Sequence, residues 1–225
     1  MRKLMAFVLL RRFCGAKAKG RIIMKIEYKN IVLRDEVIAD IEDDIRWNTV
    51  ETEWSLWDAP WETEEYLRNF DPEKFREEEI KRLRKPKDVP RWGFEIDTSD
   101  CAHIGSVSSY LIDENYRWVR AKDLKEGQRA FRAVGIEISE SSYWGRGLGT
   151  SALGAFIKYL LDCGEKEIYT QTWSGNERMT NCALRLGFEE CHREIGFRRV
   201  RGGVYDGLTF KLRREKFINY LSENG

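Results

Sequence analysis

The run Tyr-Trp-Gly-Arg-Gly-Leu-Gly-Thr at 143–150 is the stretch whose residue types indicate chemistry most directly. Gly145, Gly147 and Gly149 allow backbone conformations that residues with a Cβ rarely adopt, so several N–H groups can point at one anion. An amphipathic helix follows the run, and helix N-termini attract anions. The run therefore predicts a loop that binds a diphosphate through its main-chain N–H groups.

Two other glycine-rich loops bind phosphates and compete with this interpretation. A Walker loop requires Gly-Lys-Ser/Thr, which the chain does not contain. The dinucleotide fingerprint G-x-G-x-x-G/A does fit 147–152. However, that fingerprint follows directly on a strand and needs a carboxylate at the end of the next strand. Here the polar segment 140–144 intervenes and the next strand ends in Thr172 and Trp173. A nicotinamide-dependent oxidoreductase therefore stays as an alternative function.

The elements that must position this loop follow from the spacing of apolar residues. Asp71 is the expected N-cap of a helix with Pro72 at its first position, and Gly164 and Gly187 are expected to end two others. The charged faces of the helices over 62–70 and 73–85 are interpreted as solvated surface. Helices are also predicted over 35–47, 147–163 and 176–186, and strands over 24–33, 91–97, 103–113, 129–139, 166–173, 187–197 and 204–212. The pattern predicts an α/β (α+β) domain on a mixed sheet.

Composition narrows the function classes. The chain has 225 residues, the size of one domain. Its five scattered cysteines are an odd number without a C-x-x-C pair, which indicates a reducing cytoplasm and no zinc site. Only two histidines occur, so a histidine-rich metal site is not expected.

Charge divides the chain into a basic head and an acidic body. Residues 1–23 carry seven basic residues and no acid, so the rest carries −6 against +1 for the whole chain. An acidic body is a poor binder of nucleic acid, and the apolar run 4–10 is too short to span a membrane. We expect a basic, disordered extension over 1–23, a domain over 24–217, a tail over 218–225, no nucleic-acid or membrane partner, and a monomer or homodimer.

The order of the loop, a long helix, a strand and a second motif resembles the GNAT N-acetyltransferase superfamily. The second motif begins at Asn176 and ends at Gly187-Phe188. The chain is most similar to the branch containing the ribosomal-protein N-terminal acetyltransferases, in which a Tyr-Trp-Gly-Lys-Gly loop is frequent. The resemblance covers residues 24–215, most strongly 130–190. It implies a single domain whose mixed central sheet of about six to seven strands is flanked by helices.

The resemblance also implies that acetyl-CoA is the co-substrate and that no metal takes part. The strand before the loop would offer main-chain groups of Glu137, Ile138 and Ser139 to the pantetheine arm, and Asn176 would help to hold that arm. Asn176 equally fits a helix N-cap. Arg146 either adds charge at the phosphates or faces solvent. The diphosphate would lie on the loop residues Trp144, Gly145, Arg146, Gly147, Leu148, Gly149 and Thr150.

Acetyl transfer to an amine needs a base, an oxyanion donor and an acid. We expect Glu137 to be the base, with Tyr205 and Asp206 in reserve, although a structural role for Glu137 is equally open. The N–H of Ile138 is the expected oxyanion donor by the resemblance. The proposed acceptor is a primary amine, either a protein N-terminus or a small molecule.

The chain departs from the family where the acid should be. The family's usual tyrosine falls on Ala183, the serine of the ribosomal-protein branch on Met179, and that branch's catalytic glutamate on Arg198. These departures indicate an acceptor different from that of the best-known members. They also keep open a non-catalytic acyl-CoA-binding module. Trp54, Trp57 and Trp61 are expected on the acceptor side, with core packing as the other interpretation.

Overall fold

The computed structural model describes residues 16–18 and 21–224. The first two strands, β1 (Ala16–Ala18) and β2 (Arg21–Ile23), pair antiparallel with each other. Apart from them, the extension predicted over 1–23 lies outside the described residues.

Nine strands form one open sheet, in place of the six to seven expected. The predicted strand 24–33 is a hairpin, because Lys29 takes a positive φ of 54° and turns the chain back. The order across the sheet is β10-β11-β9-β8-β6-β5-β4-β3, with β7 beside β6. The strands are β3 (Lys25–Tyr28), β4 (Ile31–Arg34), β5 (Gly93–Thr98), β6 (His103–Asp113), β7 (Trp118–Val119), β8 (Ala130–Ile138), β9 (Ile168–Trp173), β10 (Phe188–Val200) and β11 (Gly203–Leu212).

Six α-helices lie in the described residues. Asp71 caps the third as predicted, accepting hydrogen bonds from the N–H groups of Glu73 and Lys74. The last helix runs to Asn224, through the segment expected as a tail, and is anchored by the buried Phe217. The helices are α1 (Ile41–Thr49), α2 (Pro60–Arg68), α3 (Pro72–Leu83), α4 (Leu148–Asp162), α5 (Glu177–Arg185) and α6 (Arg214–Asn224).

One face of the sheet carries the main apolar core. The helix α4 packs on it through Leu153, Phe156 and Leu160, which are fully buried. Phe156 meets Phe94 of β5 edge to face, with the ring centroids 5.9 Å apart. This apolar contact fixes where α4 begins relative to the sheet, and with it the glycine loop.

The opposite face, here called the polar face, has a smaller apolar cluster around Ile112, Ala133 and Tyr169, but α1 is held there by charged groups. The ring of His103 bonds Asp43 of α1 through Nδ1 at 2.9 Å and Glu95 of β5 through Nε2 at 3.0 Å. Burial alone lowers the pKa of His103, but these two carboxylates outweigh it and raise the pKa to about 9. Arg46 of α1 also binds Glu140, directly after β8, at 2.5 Å. The segment between β8 and the glycine loop is thus tied to α1.

Within the described residues, no helix is both long and apolar enough to cross a membrane. No group of three His, Cys, Asp or Glu residues in the same part of the chain is arranged to hold a metal ion. Its four cysteines are unpaired.

Candidate active site

The parallel strands β8 and β9 separate soon after they meet. They pair only at Arg132 with Ile168 and at Ala133 with Tyr169. One further contact follows, from the Thr170 hydroxyl to the Val134 carbonyl at 2.7 Å. Beyond it, the ends of the two strands enclose an opening between 135–138 and 171–173, which we name the β8–β9 cleft.

The register of β8 decides which main-chain groups face this cleft. The N–H of Ser139 donates to the Ile104 carbonyl on the β6 side, at 2.9 Å. Because N–H groups alternate sides along a strand, those of Ile136 and Ile138 point the other way, into the cleft. The main-chain groups of Glu137 and Ser139, which were expected there, face β6, and Ile136 is the residue that the sequence analysis missed. Strand alternation was the signal that could have identified it.

The glycine loop presents unpaired N–H groups at the start of α4. Gly145 and Gly147 have φ values of 74° and 77°, and a Cβ on either would meet no atom within 4 Å. Across the described chain, no main-chain acceptor pairs with the N–H groups of residues 145–147. The first turn of α4, residues 148–150, adds N–H groups without partners inside the helix. Such an array fits a diphosphate.

Gly149 and Arg146 of the loop have separate surroundings. A Cβ on Gly149 would lie at ordinary contact distance, 3.6 Å from the side chain of Ile136 and 3.7 Å from that of Ile138, so α4 begins directly against the edge of β8. Arg146 is exposed and its guanidinium lies 5.0 Å from the centre of the Tyr143 ring.

Trp144 lies across the cleft rather than contributing its main chain. Its N–H donates to the Ser141 carbonyl at 3.0 Å, and its indole Nε1 donates to the Ile138 carbonyl at 2.6 Å. The guanidinium of Arg178 lies between two indoles, 4.1 Å from the ring of Trp144 and 4.3 Å from that of Trp57. We name this arrangement the Trp57–Arg178–Trp144 stack; no sequence pattern indicated it.

Asn176 is the N-cap of α5, which is one of the two roles predicted for it. Its Oδ1 accepts from the N–H of Met179 at 3.0 Å, and its Nδ2 donates to the Trp57 carbonyl at 2.7 Å. The same carbonyl accepts from Nε1 of Trp173 at 2.9 Å. These bonds hold the turn at Trp57 against the end of β9.

Glu137 lies on the polar face, beside the cleft. It pairs with Ser106 in the β6–β8 ladder, and the Ser139 hydroxyl donates to its Oε1 at 2.5 Å. Burial raises the pKa of Glu137 to about 7; the nearby charges of Asp58 and Glu95 act in the same direction, and the Ser139 bond opposes them. A carboxyl group with this pKa can exchange a proton near neutral pH.

Gly105 allows the backbone of β6 to approach Glu137. A Cβ at this position would lie 2.1 Å from the Glu137 carbonyl oxygen, which no packing can accept. A glycine inside a predicted strand often marks such a close approach, so the sequence did contain this signal.

Of the three tryptophans before and within α2, Trp54 belongs to the core, while Trp57 and Trp61 lie near the end of β9. Trp54 is buried and donates from Nε1 to the Trp47 carbonyl at 2.8 Å. Trp61 meets Trp173 of β9 and Phe197 of the last hairpin edge to face, at centroid distances of 6.3 and 5.4 Å.

The positions that carry an acid in relatives do not carry one here. Ala183 is fully buried and Met179 packs against the core. Tyr205 lies closer to the cleft, with its ring 4.9 Å from that of Trp173. Asp206 bonds the Gly196 N–H and Arg193, and these partners lower its pKa. A carboxylate held in that way is a weak proton acceptor, which leaves Tyr205 as the reserve group.

The family model of the acetyltransferase (GNAT) domain matches residues 30–189, more than half of the chain. No curated protein sequence matches this chain.

Solved structures share the fold at low sequence identity. The GNAT-family acetyltransferase of Bacillus anthracis has a TM-score of 0.59 at 12% identity, over 85% of this chain and 99% of that one. The ribosomal L7/L12 alpha-N-protein acetyltransferase RimL has a TM-score of 0.59 at 12% identity, over 88% and 98%. A spermidine N-acetyltransferase SpeG chimera from Vibrio cholerae and hSSAT has 0.58 at 14%, over 85% and 99%. With strands that diverge beside a glycine loop, and with a matching domain model, this chain belongs to the GNAT acetyltransferase family.

Proposed function

We propose that the chain is an acetyl-CoA-dependent N-acetyltransferase that moves an acetyl group to a primary amine by direct attack. The observation that carries this proposal is the β8–β9 cleft, which joins the free N–H groups of the glycine loop to Glu137. Amines are the acceptors named for two of the structural neighbours, a ribosomal protein and spermidine. The ribosomal-protein branch stays a prediction from the loop sequence, and the unpaired cysteines support a cytoplasmic setting.

The residues present fit acetyl-CoA. The N–H groups of residues 145–150 would hold the diphosphate, because they are unpaired and lie at the positive end of a 15-residue helix. The unpaired N–H groups of Ile136 and Ile138 would bind the pantetheine arm, with Asn176 opposite. Bound there, acetyl-CoA supplies an acetyl group activated as a thioester.

Three groups of the chain would then accept the proton, stabilise the developing negative charge and return a proton. The amine nitrogen forms a C–N bond to the acetyl carbon as the C–S bond breaks; one proton leaves the nitrogen and the sulfur takes one up. Glu137 accepts the proton from the amine. The Ile138 N–H donates to the carbonyl oxygen where negative charge develops. Tyr205, whose ring lies 4.9 Å from that of Trp173 at the end of β9, is the group proposed to return a proton to sulfur.

The test is to incubate the protein with acetyl-CoA and a panel of primary amines and peptides, with thiol release and product mass as readouts. Free thiol together with an acetylated amine supports the enzyme. Tight acetyl-CoA binding without turnover across the panel would favour the non-catalytic module, which the absence of a hydroxyl at Ala183 and Met179 keeps open. Binding of NADH in place of acetyl-CoA would favour the oxidoreductase.

A further inference from the structure

A cavity of about 470 Å³ lies between α2 and α3. Its apolar walls are four aromatic rings, those of Trp61, Tyr66, Phe70 and Phe75. Consecutive rings stand tilted to each other, with centroids 5.7 Å apart for Tyr66 and Phe70 and 5.2 Å for Phe70 and Phe75. We name this space the α2–α3 cavity.

Four carboxylates line the same cavity against one ammonium group. The acids are Glu62, Glu65, Asp71 and Glu78, and the cation is Lys74. Among the described residues, neither Glu65 nor Glu78 has a cation within ion-pair distance. Negative charge next to the faces of aromatic rings attracts a cation through both groups at once.

The α2–α3 cavity lies beside the end of β9, which borders the β8–β9 cleft. Trp61 belongs both to the cavity wall and to the ring contacts at the end of β9. Burial raises the pKa of the Tyr66 hydroxyl most strongly. The negative charges of Glu137 and Asp44 raise this pKa further. Desolvation raises the pKa of Asp58, and the charge of Glu62 raises it further. The ring of Trp61 is thus the wall that the α2–α3 cavity shares with the end of β9 at the cleft.

Two further carboxylates, Glu36 before α1 and Asp44 in α1, lie in partly dehydrated surroundings. Glu36 binds Arg82 through one oxygen, while its Oε1 has no hydrogen-bond partner in the described chain and the side chain is only 10% exposed. Burial and the charges of Glu95 and Glu36 raise the pKa of Asp44 to about 8.

We propose that the acceptor is a linear di- or polyamine, whose distal ammonium group lies in the α2–α3 cavity while its reacting amine meets Glu137. This inference rests on the proposed N-acetyltransferase function. Main-chain groups in α2 and α3 are mostly paired inside the helices, so the cavity offers carboxylates and ring faces but few partners for a peptide backbone. Methylene groups pack against the rings, and ammonium groups meet the acids.

The test compares α,ω-diamines of three to six carbons with n-alkylamines of equal length. For the wild-type protein we expect kcat/KM to be at least about tenfold higher for the diamine, a preference that falls as salt is added. In the double variant Glu65→Gln, Glu78→Gln the preference should shrink to about twofold, the scale of lost cation attraction at partly exposed sites. The matched control is Glu73→Gln, Glu77→Gln, which removes equal charge from α3 outside the cavity and should keep the preference.

Each other outcome has one meaning. Equal kcat/KM for monoamine and diamine would overturn the distal site and leave the acetyltransferase function intact. The same conclusion would follow if the control variant Glu73→Gln, Glu77→Gln lost the diamine preference as fully as the cavity variant. A basic peptide acetylated more efficiently than any diamine would overturn the acceptor class. Calorimetry separates the two proposals: diamine binding that the cavity variant abolishes, without any acetylation, supports the cavity and contradicts the enzyme.

Discussion

The two faces of the central sheet are built on opposite principles. On the apolar face, α4 packs through fully buried side chains such as Phe156 and Leu160. On the polar face, α1 is held by ion pairs, those of Asp43 with His103 of β6 at 2.9 Å and of Arg46 with Glu140 at 2.5 Å. The first face fixes the position of the loop and the edge of β8. The second places charges in partly dehydrated surroundings, where pKa values shift.

This difference separates the tasks of binding and proton transfer. Groups proposed to hold acetyl-CoA are main-chain N–H groups whose positions depend on the apolar core. Groups proposed to act on the amine are side chains whose protonation depends on neighbouring charge. Substitutions on the two faces should therefore fail in different ways.

The largest effect is expected at the polar face, from Glu137→Gln. Removing the base should lower kcat/KM by about 10²- to 10⁴-fold, the usual contribution of general base catalysis. Acetyl-CoA affinity should stay unchanged. Because the pKa of Glu137 is raised to about 7, the ratio of wild-type to variant rate should grow as pH rises through 7. A variant within threefold of wild type at all pH values would remove Glu137 from the mechanism.

On the apolar face, Phe156→Ala should lower the free energy of unfolding by about 3–5 kcal/mol, because it leaves a cavity in a packed core. Denaturant unfolding measures this loss. The control is Ile195→Ala, at a side chain that is 76% exposed, with an expected change within about 0.5 kcal/mol. Similar losses for both variants would contradict the distinction between core and surface.

His103→Gln tests whether ion pairs stabilise the polar face. At pH 6 we expect a loss of about 3 kcal/mol, the scale for a buried ion pair that loses one partner. The folded-state pKa of His103 is raised to about 9, so its stabilisation is complete below the unfolded value near 6.5 and is lost as pH rises through 9. The stability gap between wild type and variant should therefore shrink between pH 6 and pH 10. A constant gap would show that the ring acts by packing alone.

The smallest effect concerns the Trp57–Arg178–Trp144 stack, where the two faces meet. Arg178→Ala should cost about 1 kcal/mol of stability and weaken acetyl-CoA binding several-fold, because Trp144 loses its support beside Ile138. Arg129→Ala is the control, since Arg129 lies 5.1 Å from the single ring of Phe131, away from the cleft. Equal effects of the two variants on acetyl-CoA affinity would contradict a role for the stack.

Sequence analysis was strongest for the apolar face. The 3.6-residue periodicity over 147–163 predicted α4 to within one residue at each end, and Gly164 ends it with a φ of 101°. The loop and the caps at Asp71 and Asn176 also follow from local chemistry. The sheet size did not, because the short strands β4 and β7 carry little periodicity of their own.

The polar face was harder to predict, because its ion pairs and strand register join residues that are far apart in sequence. The charges of α3 were interpreted as solvated surface, yet Arg82 binds Glu36 and Arg76 binds Glu42 at 2.9 Å. Because side chains alternate along a strand, Glu137 must lie on the face opposite Ile138, but only the register with β6 shows which main-chain groups meet the cleft. Sequence spacing does not contain that pairing.

The central claim, that main-chain N–H groups around Gly147 bind acetyl-CoA, is tested most directly by calorimetry on a matched pair of variants. Gly147→Ala and Gly127→Ala carry the same backbone strain, with φ values of 77° and 78°, and neither new methyl group would meet a protein atom within 4 Å. We predict that wild type and Gly127→Ala bind acetyl-CoA with equal affinity, while Gly147→Ala binds at least about tenfold more weakly because its methyl group lies where the diphosphate must approach. Equal affinity in all three proteins, or no heat with wild type, would contradict the account.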